Sequence, residues 1–481
     1  MFQRDIYLNL SPIDHRYFIA NREIFEKLAT YISEAAGIKY NTRVEIALLK
    51  ALIHIKEDVP QDNKDFIKLG SVVEQISPEE VYREEEKTHH NIRALVNVIK
   101  KYIPDRWKPY LHLGATSVDI LDTASALAYR DATNRVILPL LIDLEEALME
   151  IAEREKATPQ IGRTHGQHAV PITFGFAMSE YVSRLGKAIL RIKEKAHNLR
   201  GKLAGAVGAY NATKLIVKDP EELENEVLKQ LGITPSETAT QLVEPEYLLS
   251  LLLEINIAFG IIANLADDLR NLQRSEIDEV REGFSKTQVG SSTMPQKRNP
   301  WNSEHVKSLW KTFSPRVITF FMDQISEHQR DLTNSASKRF IADYFAGFAA
   351  ATARMTKVLK SLRVNRERML KNLLDNGDMV LAEAVYVLLS ESGIDNAHEM
   401  IKQLTLERER TGKSLWEIIE GDKNLSAILK AGIEKYTKLN PEEFWTHPEK
   451  YRGLSEEKVE KIVKKYREIL NTIRGELQSE N

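Results

Sequence analysis

Near the middle of the chain, hydroxyl, amide and cationic side chains crowd into one short segment that cannot be helical. The segment reads Gly290-Ser291-Ser292-Thr293-Met294-Pro295-Gln296-Lys297-Arg298-Asn299-Pro300. Because glycine and proline interrupt a regular helix, we expect its backbone to form a loop. Such a loop can bring backbone N–H groups, hydroxyls and an ammonium onto one small anion. We interpret this segment, called the site loop below, as part of a functional site rather than a plain linker.

Histidines stand in two other polar segments. Residues 162–171, which we expect to form a loop, hold His165 and His168 between a glycine and a proline. His89 and His90 follow a short acidic run. A histidine pair three residues apart can ligate a metal, but no further ligand stands at helical spacing, so no metal site is expected. His165 is instead a candidate proton donor or acceptor near neutral pH. Spacing alone leaves the role of His89 and His90 open.

A helix start is predicted within residues 111–123, where small polar residues give way to a helical pattern. Thr116 or Ser117 can cap this helix, and Asp119 falls in its first turn. The N-terminal end of a helix attracts anions, so the segment is a candidate anion site. A capped helix without any ligand explains the same pattern at least as well.

A cationic cluster lies between Arg330 and Arg339, with Ser335 and other hydroxyls between the two guanidinium groups. Forked guanidinium donors and a short hydroxyl donor suit a phosphate monoester. A surface ion-pair cluster around Asp331 explains these residues equally well.

The elements that must position these segments are helices. Apolar residues recur with helical period over residues 141–151 and again over residues 178–192. Over residues 245–282 they lie almost all round the predicted helix, which must therefore be buried within a bundle or against other subunits. The patterns predict an all-α protein built on long helices.

Breaks in the helical pattern predict three parts. Proline and polar residues interrupt it at residues 102–105, and glycines recur after residue 364. We expect an N-terminal helical domain over 1–108, a central long-helix bundle over 109–362 and a C-terminal helical domain over 363–481. The Lys/Glu-rich end of the third part is expected to be mostly solvated surface.

Composition excludes several classes of protein. The 481 residues carry a formal net charge of −3, so the chain has no basic field for nucleic acid. It has no cysteine, which excludes disulfides, thiolate catalysis and cysteine-ligated metals. Neither a secretion signal nor an uncharged apolar span is visible, so we expect a cytoplasmic protein that does not enter the membrane.

Three motifs together resemble the fumarase/aspartase superfamily. They are His112-Leu113-Gly114-Ala115-Thr116-Ser117, the small-residue turn from Gly205 to Asn211, and the site loop. Within the superfamily the chain is most similar to the adenylosuccinate lyase family. That similarity rests on Ser11–Tyr17, Thr88–Ala94, Arg163–Gln167 and the spacing of Arg330, Ser335 and Arg339.

The resemblance implies a fold, an assembly and a reaction. Members have three helical domains and form homotetramers in which each active site takes residues from three subunits. The implied reaction of purine nucleotide biosynthesis is β-elimination of fumarate from adenylosuccinate, giving AMP, and from the succinylated aminoimidazole carboxamide ribotide. The expected partner is therefore a succinylated purine nucleotide. No metal, nicotinamide or redox cofactor is implied.

The resemblance also implies roles for individual residues. Ser291 matches the base, His165 the acid that protonates the departing nitrogen, and His90 a second histidine that shares that proton. Lys297 matches the group that offsets charge on the succinyl carboxylate, and Glu304 a carboxylate that orients a histidine. The implied substrate-binding residues are Arg16, Tyr17, His89, Asn91, His112, Thr116, Ser117, Thr164, Asn211, Gln241, Asn299, Arg330, Ser335 and Arg339.

Two positions depart from the family pattern and keep alternatives open. Asn91 stands where many relatives have Asp, and Gln296 is more typical of argininosuccinate lyases. An argininosuccinate lyase or a carboxymuconate cycloisomerase-like enzyme is therefore the alternative within the superfamily. A catalytically silent helical scaffold is the alternative outside it. The presence of all four residues argues against that alternative: Ser291, His165, Lys297 and His90.

Overall fold

Helices form most of the chain. The computed structural model describes residues 5–57, 59–60, 63–283, 293–294 and 296–479. Long helices and a few very short strands make up this part of the chain, and the all-α prediction is confirmed.

The helices of the N-terminal third are α1 (Arg16–Ala20), α2 (Arg22–Ile32), α3 (Glu34–Glu57), α4 (Lys64–Lys68), α5 (Val72–Gln75), α6 (Pro78–Thr88), α7 (Asn91–Ile99), α8 (Ser117–Ala132) and α9 (Leu138–Arg154). Those of the middle are α10 (Phe174–His197), α11 (Thr213–Ile216), α12 (Pro220–Gln230), α13 (Glu246–Leu272), α14 (Trp301–Phe313), α15 (Arg316–Met322), α16 (Ser335–Lys338) and α17 (Ile341–Ser361). Those of the C-terminal part are α18 (Arg366–Leu374), α19 (Ala382–Glu391), α20 (Ala397–Thr411), α21 (Leu415–Gly421), α22 (Lys423–Tyr436), α23 (Pro441–Thr446) and α24 (Ser455–Ser479).

Five long helices form a bundle at the centre of the protein. Helix α10 packs against α9 and α13, α14 packs against α13 and α17, and α17 closes the bundle against α9. The two apolar faces predicted within residues 141–151 and 178–192 are buried in this bundle. Burial of apolar side chains is the main force that holds such helices together.

Helix α13 is the most apolar element of the bundle. By length and composition alone it is long enough and apolar enough to cross a membrane, but just over half of its most apolar stretch is buried inside the protein, where it contacts α10, α14 and α17. Leu253 and Ile257, one turn apart, remain exposed on it. Helix α13 is thus a bundle helix that keeps one apolar strip at the surface.

The C-terminal part has a small apolar core of its own. Its buried residues come from α18 to α23, with Ile161 as the one contribution from the rest of the described chain. The two boundaries between the three predicted domains remain a prediction.

Helix α24 behaves differently from the solvated end expected from its lysines and glutamates. It returns to the central bundle and packs on α9 and α10. Its buried side chains recur every three or four residues and form a stripe: Val459, Val463, Tyr466, Leu470, Ile473 and Leu477. This spacing was readable in the sequence, and the high charge of the outer face concealed it.

Short strands occur where segments of the site enter or leave the bundle. Strands β1 (Pro159–Thr164) and β2 (Gln167–Thr173) form an antiparallel hairpin. Strand β3 (Arg200–Gly201) pairs in parallel with β4 (Thr234–Pro235), and β5 (Val280–Arg281) pairs antiparallel with β6 (Arg363–Val364).

A buried acidic side chain in the bundle gives a testable pH dependence. Glu145 of α9 is fully buried, and neither of its carboxylate oxygens has a hydrogen-bond partner among the described residues. Burial raises the pKa of this carboxyl well above its ordinary value. The folded state therefore favours the protonated form, and the wild type loses stability as the pH rises above the ordinary pKa of glutamate.

We expect Glu145→Gln to be more stable than the wild type at pH 8, by roughly 1–3 kcal/mol, because the amide carries no charge to bury. This difference in stability between Glu145→Gln and the wild type should be smaller at pH 5. Urea unfolding followed by circular dichroism at both pH values, at one protein concentration, measures it. An equal difference at pH 5 and pH 8 would contradict the assignment.

Candidate active site

The site loop is only partly described. Ser291, the predicted base, lies outside the described residues, which resume at Thr293 and Met294 and then continue from Gln296. Lys297 is exposed, and its backbone N–H donates to the carbonyl of Met294 over 3.0 Å. The described end of the loop therefore turns just before α14.

Two side chains join the chain before the site loop to the chain after it. The side-chain oxygen of Gln273 accepts the backbone N–H of Glu282 at 2.8 Å, and its amide nitrogen donates to the carbonyl of Arg298 at 3.2 Å. The Glu282 carboxylate accepts the backbone N–H groups of Asn302 at 3.2 Å and Ser303 at 2.7 Å. Since these N–H groups belong to the first turn of α14, Glu282 caps that helix from the other side of the loop.

Glu304, predicted to orient a histidine, lies on the first turn of the same helix and is exposed. The neighbouring His305 points toward the N-terminal segment instead. Its ring stacks on Tyr17, and the Tyr17 hydroxyl lies 3.2 Å from His305 Nε2. Burial lowers the pKa of His305, helped by the positive charges of Arg354 and Arg16. A neutral His305 thus holds Tyr17, one of the predicted substrate-binding residues.

His165 lies at the tip of the β1–β2 hairpin, where the sequence predicted an irregular loop. His165 has a φ of 54° and Gly166 a φ of 74°, as a two-residue type I′ turn requires. The alternating residues on either side of His-Gly were a hairpin signal that the sequence reading did not use. The turn leaves His165 and Thr164 exposed at the surface.

The base of the hairpin is held by a buried carboxylate. Glu279 is fully buried and accepts both terminal nitrogens of Arg163, at 3.1 and 2.5 Å. The side-chain amides of Gln160 at 2.8 Å and Asn372 at 2.9 Å also donate to it. Four charge-assisted or amide hydrogen bonds satisfy both carboxylate oxygens, so the base of the hairpin is fixed beneath the exposed tip residue His165.

The helix start predicted within residues 111–123 is confirmed, and α8 begins at Ser117. Thr116 is the residue before α8, and its backbone N–H donates to the Asp119 carboxylate at 2.8 Å. Asp119 also forms a fully buried ion pair with Lys202 and accepts the backbone N–H of Gly205 at 3.2 Å. One carboxylate therefore joins the helix start to the small-residue turn at residues 205–211.

The turn itself is fixed at its far end. Tyr210, with a φ of 55°, donates its hydroxyl proton to Glu224 at 2.6 Å. Burial raises the pKa of Glu224 although two hydrogen bonds oppose the shift. The predicted contact Asn211 follows directly and is exposed.

His90 and Ser117, two predicted site residues, lie next to each other. His90 caps α7, where its Nδ1 lies 3.3 Å from the backbone N–H of Arg93 and accepts it. This leaves Nε2 as the protonated nitrogen of a neutral ring, 3.5 Å from the Ser117 hydroxyl. Asn91 begins α7 and His89 precedes it in a left-handed conformation. The structure therefore brings the His89–Asn91 segment to the start of α8.

The predicted phosphate contacts lie on and around α16. Arg330 has a φ of 77° and donates from Nη1 to the carbonyl of Gln324 at 2.9 Å. Ser335 begins α16 and Arg339 follows its end, and both are exposed. The backbone N–H of Gln241 donates to the carbonyl of Gln329 at 3.3 Å, which places Gln241 beside this segment.

Asp122 connects the phosphate segment to the helix start. Its carboxylate accepts Lys338 Nζ of α16 at 2.8 Å and the backbone N–H of Val243 at 3.0 Å. Because Asp122 stands on α8, the same helix that begins at Ser117 also anchors α16 and the neighbourhood of Gln241.

Backbone strain coincides with these segments. Among the described residues, the non-glycine residues with positive φ are His89, His112, His165, Tyr210, Asp278 and Arg330. Four of them are predicted site residues, and Tyr210 adjoins a fifth. Such conformations persist only where the surroundings hold them, and they are typical of functional sites.

Contacts between described residues join some of these segments within one chain. The His90–Ser117 region joins the turn at 205–211, Tyr17 lies with His305, and His165 lies at the tip of its hairpin. The buried anchors Glu279 and Glu282 were not found from the sequence, where nothing distinguishes them from surface glutamates.

Family models match most of the chain. A model described as "Lyase" matches residues 15–311, and one described as "Adenylosuccinate lyase C-terminal" matches residues 326–444. The adenylosuccinate lyase of Pyrococcus abyssi is 34% identical over 458 residues, which are 94% of this chain and 97% of that protein. That of Archaeoglobus fulgidus is 32% identical over 472 residues, which are 95% and 99% of the two chains.

Solved structures share the fold. The 3-carboxy-cis,cis-muconate lactonizing enzyme from Pseudomonas putida matches with a TM-score of 0.76 at 24% identity, over 96% of this chain and 99% of that one. A fumarate lyase from Mesorhizobium sp. BNC1 matches with a TM-score of 0.76 at 20% identity, over 92% and 97%. The long-helix bundle and the matched model define a lyase of the fumarase/aspartase type. Within that class, the chain belongs to the adenylosuccinate lyase family.

The cap that Glu282 supplies to α14 is open to test. We expect Glu282→Ala to lower the free energy of unfolding by about 1–2 kcal/mol, because two N–H groups of the first turn lose their acceptor. Glu276→Ala, an exposed glutamate on the same connection, is the matched control and should change it by less than about 0.5 kcal/mol. Urea unfolding of both variants makes the measurement. If both variants changed the free energy of unfolding equally, Glu282 would not be the cap of α14.

Proposed function

We propose that the protein cleaves adenylosuccinate to AMP and fumarate and also cleaves the succinylated aminoimidazole carboxamide ribotide. The observation that carries this proposal is membership of the adenylosuccinate lyase family over nearly the whole chain, C-terminal part included. The family reaction eliminates fumarate from an N-succinyl group by breaking a C–H bond and the C–N bond, and the residue types of the predicted site suit it.

The proposed chemistry starts at the carbon next to a carboxylate. Its hydrogen is weakly acidic, so its removal needs an activated base and a stabilised dianion. Ser291 is the base, and Lys297 and Asn299 hold the succinyl carboxylate as its second negative charge develops. His165 protonates the departing nitrogen, and His90 shares or positions that proton. Fumarate then leaves.

The nucleotide end is proposed to lie at α16 and the N-terminal segment. Arg16 and Tyr17 from one segment and Arg330, Ser335 and Arg339 from another supply the donors for the phosphate. One nitrogen of Arg330 already binds the carbonyl of Gln324, which fixes the direction of the guanidinium. A guanidinium held in this way loses less freedom on binding than a free one.

We propose that the active protein is a cytoplasmic homotetramer with shared active sites and three domains over 1–108, 109–362 and 363–481. One observation supports assembly with other copies of the chain: apolar side chains remain exposed on helices α10, α13 and α15. The exposed residues are Leu190, Leu253, Ile257, Ile318, Phe321 and Met322. Exposed apolar strips of this kind mark interaction surfaces.

A substrate panel tests the function. Purified protein should release fumarate from adenylosuccinate, with AMP as the second product, and from the succinylated ribotide, followed by ultraviolet absorbance. It should release no fumarate from argininosuccinate, which is the alternative substrate suggested by Gln296. Fumarate from argininosuccinate without any from adenylosuccinate would overturn the proposal in favour of the alternative, and no turnover of any of the three would favour the scaffold.

Two variants test the catalytic roles. We expect Ser291→Ala and His165→Ala each to lower kcat by at least about a thousandfold, because each removes one partner of a proton transfer. Helical content and sedimentation should stay as in the wild type. Near-normal turnover in either variant would refute that residue's role.

The same two variants test whether sites are shared. If Ser291 and His165 of one site come from different subunits, refolding the two inactive variants together produces some sites with both residues intact. Part of the wild-type rate should then return. If both residues came from one chain, the mixture would stay inactive.

A further inference from the structure

A buried carboxylate lies directly behind one residue of the predicted site. Glu45 of α3 lies 2.7 Å from Nδ1 of His112, measured from its Oε1. The Glu45 side chain is fully buried, whereas 14% of the His112 side chain is exposed. The pair therefore runs from the protein interior to the surface of the site, with the carboxylate inside and the imidazole outside.

The surroundings of Glu45 make this contact unusual. Among the described residues its Oε2 has no hydrogen-bond partner, and no lysine or arginine forms an ion pair with it. A buried carboxylate with so few partners is costly unless a proton or a cation compensates it. His112 is the one neighbour in the described chain that supplies a proton to it.

His112 itself is held in a specific direction. Its φ of 60° is left-handed, outside any helix, and it stands four residues before Thr116. Because Nδ1 faces Glu45, the opposite nitrogen, Nε2, is the ring atom that remains for a ligand. In metal sites and hydrolases, a carboxylate behind a histidine fixes the tautomer and the ring orientation in the same way.

We infer that Glu45 is a positioning residue that aims His112 at an anionic group of the substrate. Glu45 fixes the proton on Nδ1. Its negative charge also stabilises the imidazolium that forms when Nε2 takes up a second proton from solvent, and this Nε2–H then donates to a carboxylate or a phosphate. The inference rests on the proposed function, to which it adds a residue that touches no substrate atom. A neutral hydrogen-bond acceptor at position 45 would orient the ring but would not support its charge.

The variant Glu45→Gln separates orientation from charge, because the amide oxygen can still accept from Nδ1. We expect the KM for adenylosuccinate to rise about tenfold with kcat changed less than about threefold, since a charge-assisted contact to a bound anion is lost in ground and transition states alike. Inhibition constants for the two products identify the anion. If only the inhibition constant of fumarate rises tenfold, His112 contacts a carboxylate of the substrate. If only that of AMP rises tenfold, His112 contacts the phosphate.

Three controls make the result specific. Glu145→Gln removes a second buried carboxylate, in α9, which has no hydrogen-bond partner among the described residues, and should leave KM unchanged. In a His112→Asn background, Glu45→Gln should add less than about a twofold change, because the two residues act as one unit. Glu45→Asp keeps the charge on a shorter side chain, so its KM should lie between those of the wild type and Glu45→Gln. It is the test variant if Glu45→Gln does not fold.

The outcomes divide cleanly. Unchanged KM and unchanged product inhibition in folded Glu45→Gln would overturn the inference. So would a tenfold further rise in KM when Glu45→Gln is added to the His112→Asn variant. Calorimetric binding of fumarate and AMP is measured in parallel. If the wild type turns over no adenylosuccinate, the proposed function fails, yet weaker binding of either product to Glu45→Gln still supports the inference. If the wild type and Glu45→Gln bind fumarate and AMP equally, or if neither protein binds them, the inference is overturned.

Discussion

The buried ion pair of Asp119 and Lys202 is the interaction on which the arrangement of the site depends. Both side chains are fully buried, and Asp119 also binds the backbone of Thr116 and Gly205. A broken buried pair leaves an uncompensated charge and costs several kcal/mol, so the pair strongly favours one arrangement of its neighbours. The helix start and the small-residue turn, far apart in sequence, thereby become one rigid surface.

The same device recurs at the other segments. Glu279 holds the hairpin, Glu282 holds the end of the site loop, and Asp122 holds the α16 region. The predicted reactive residues lie on turns, at helix ends and at positions with left-handed backbone. The hydrogen bonds inside a helix do not fix the backbone at such positions. Buried carboxylates provide the missing acceptors for backbone N–H groups and the missing partners for cations. The bundle gives these carboxylates a rigid base.

Helix period in the sequence was enough to predict the all-α fold, because apolar faces such as Leu141–Ile151 are buried as their spacing requires. The cap at Thr116 was predictable for a similar reason, since it depends on residues three positions apart. The hairpin around His165 and the docking of α24 were missed although their patterns were present. A two-residue His-Gly turn was taken for a loop, and a heptad stripe was hidden among charges.

Other features could not be predicted from one sequence. The contacts of Glu279 with Asn372 and of Glu45 with His112 join residues that are distant in the chain, and no local pattern reports them. Glu45 did carry one clue, because it stands between apolar residues on the buried face of α3. The roles of Ser291 and His165 came from the family resemblance and not from physical pattern alone.

The position of α24 has a consequence for how the chain folds during synthesis. Its 25 residues are the last long element of the described chain, yet they cover α9 and α10, which are made some three hundred residues earlier. Until α24 has left the ribosome, the apolar groove on α9 and α10 stays open to water and to other nascent chains. The order of translation therefore delays completion of the central bundle, and a chaperone that shields α9 and α10 would act in that interval.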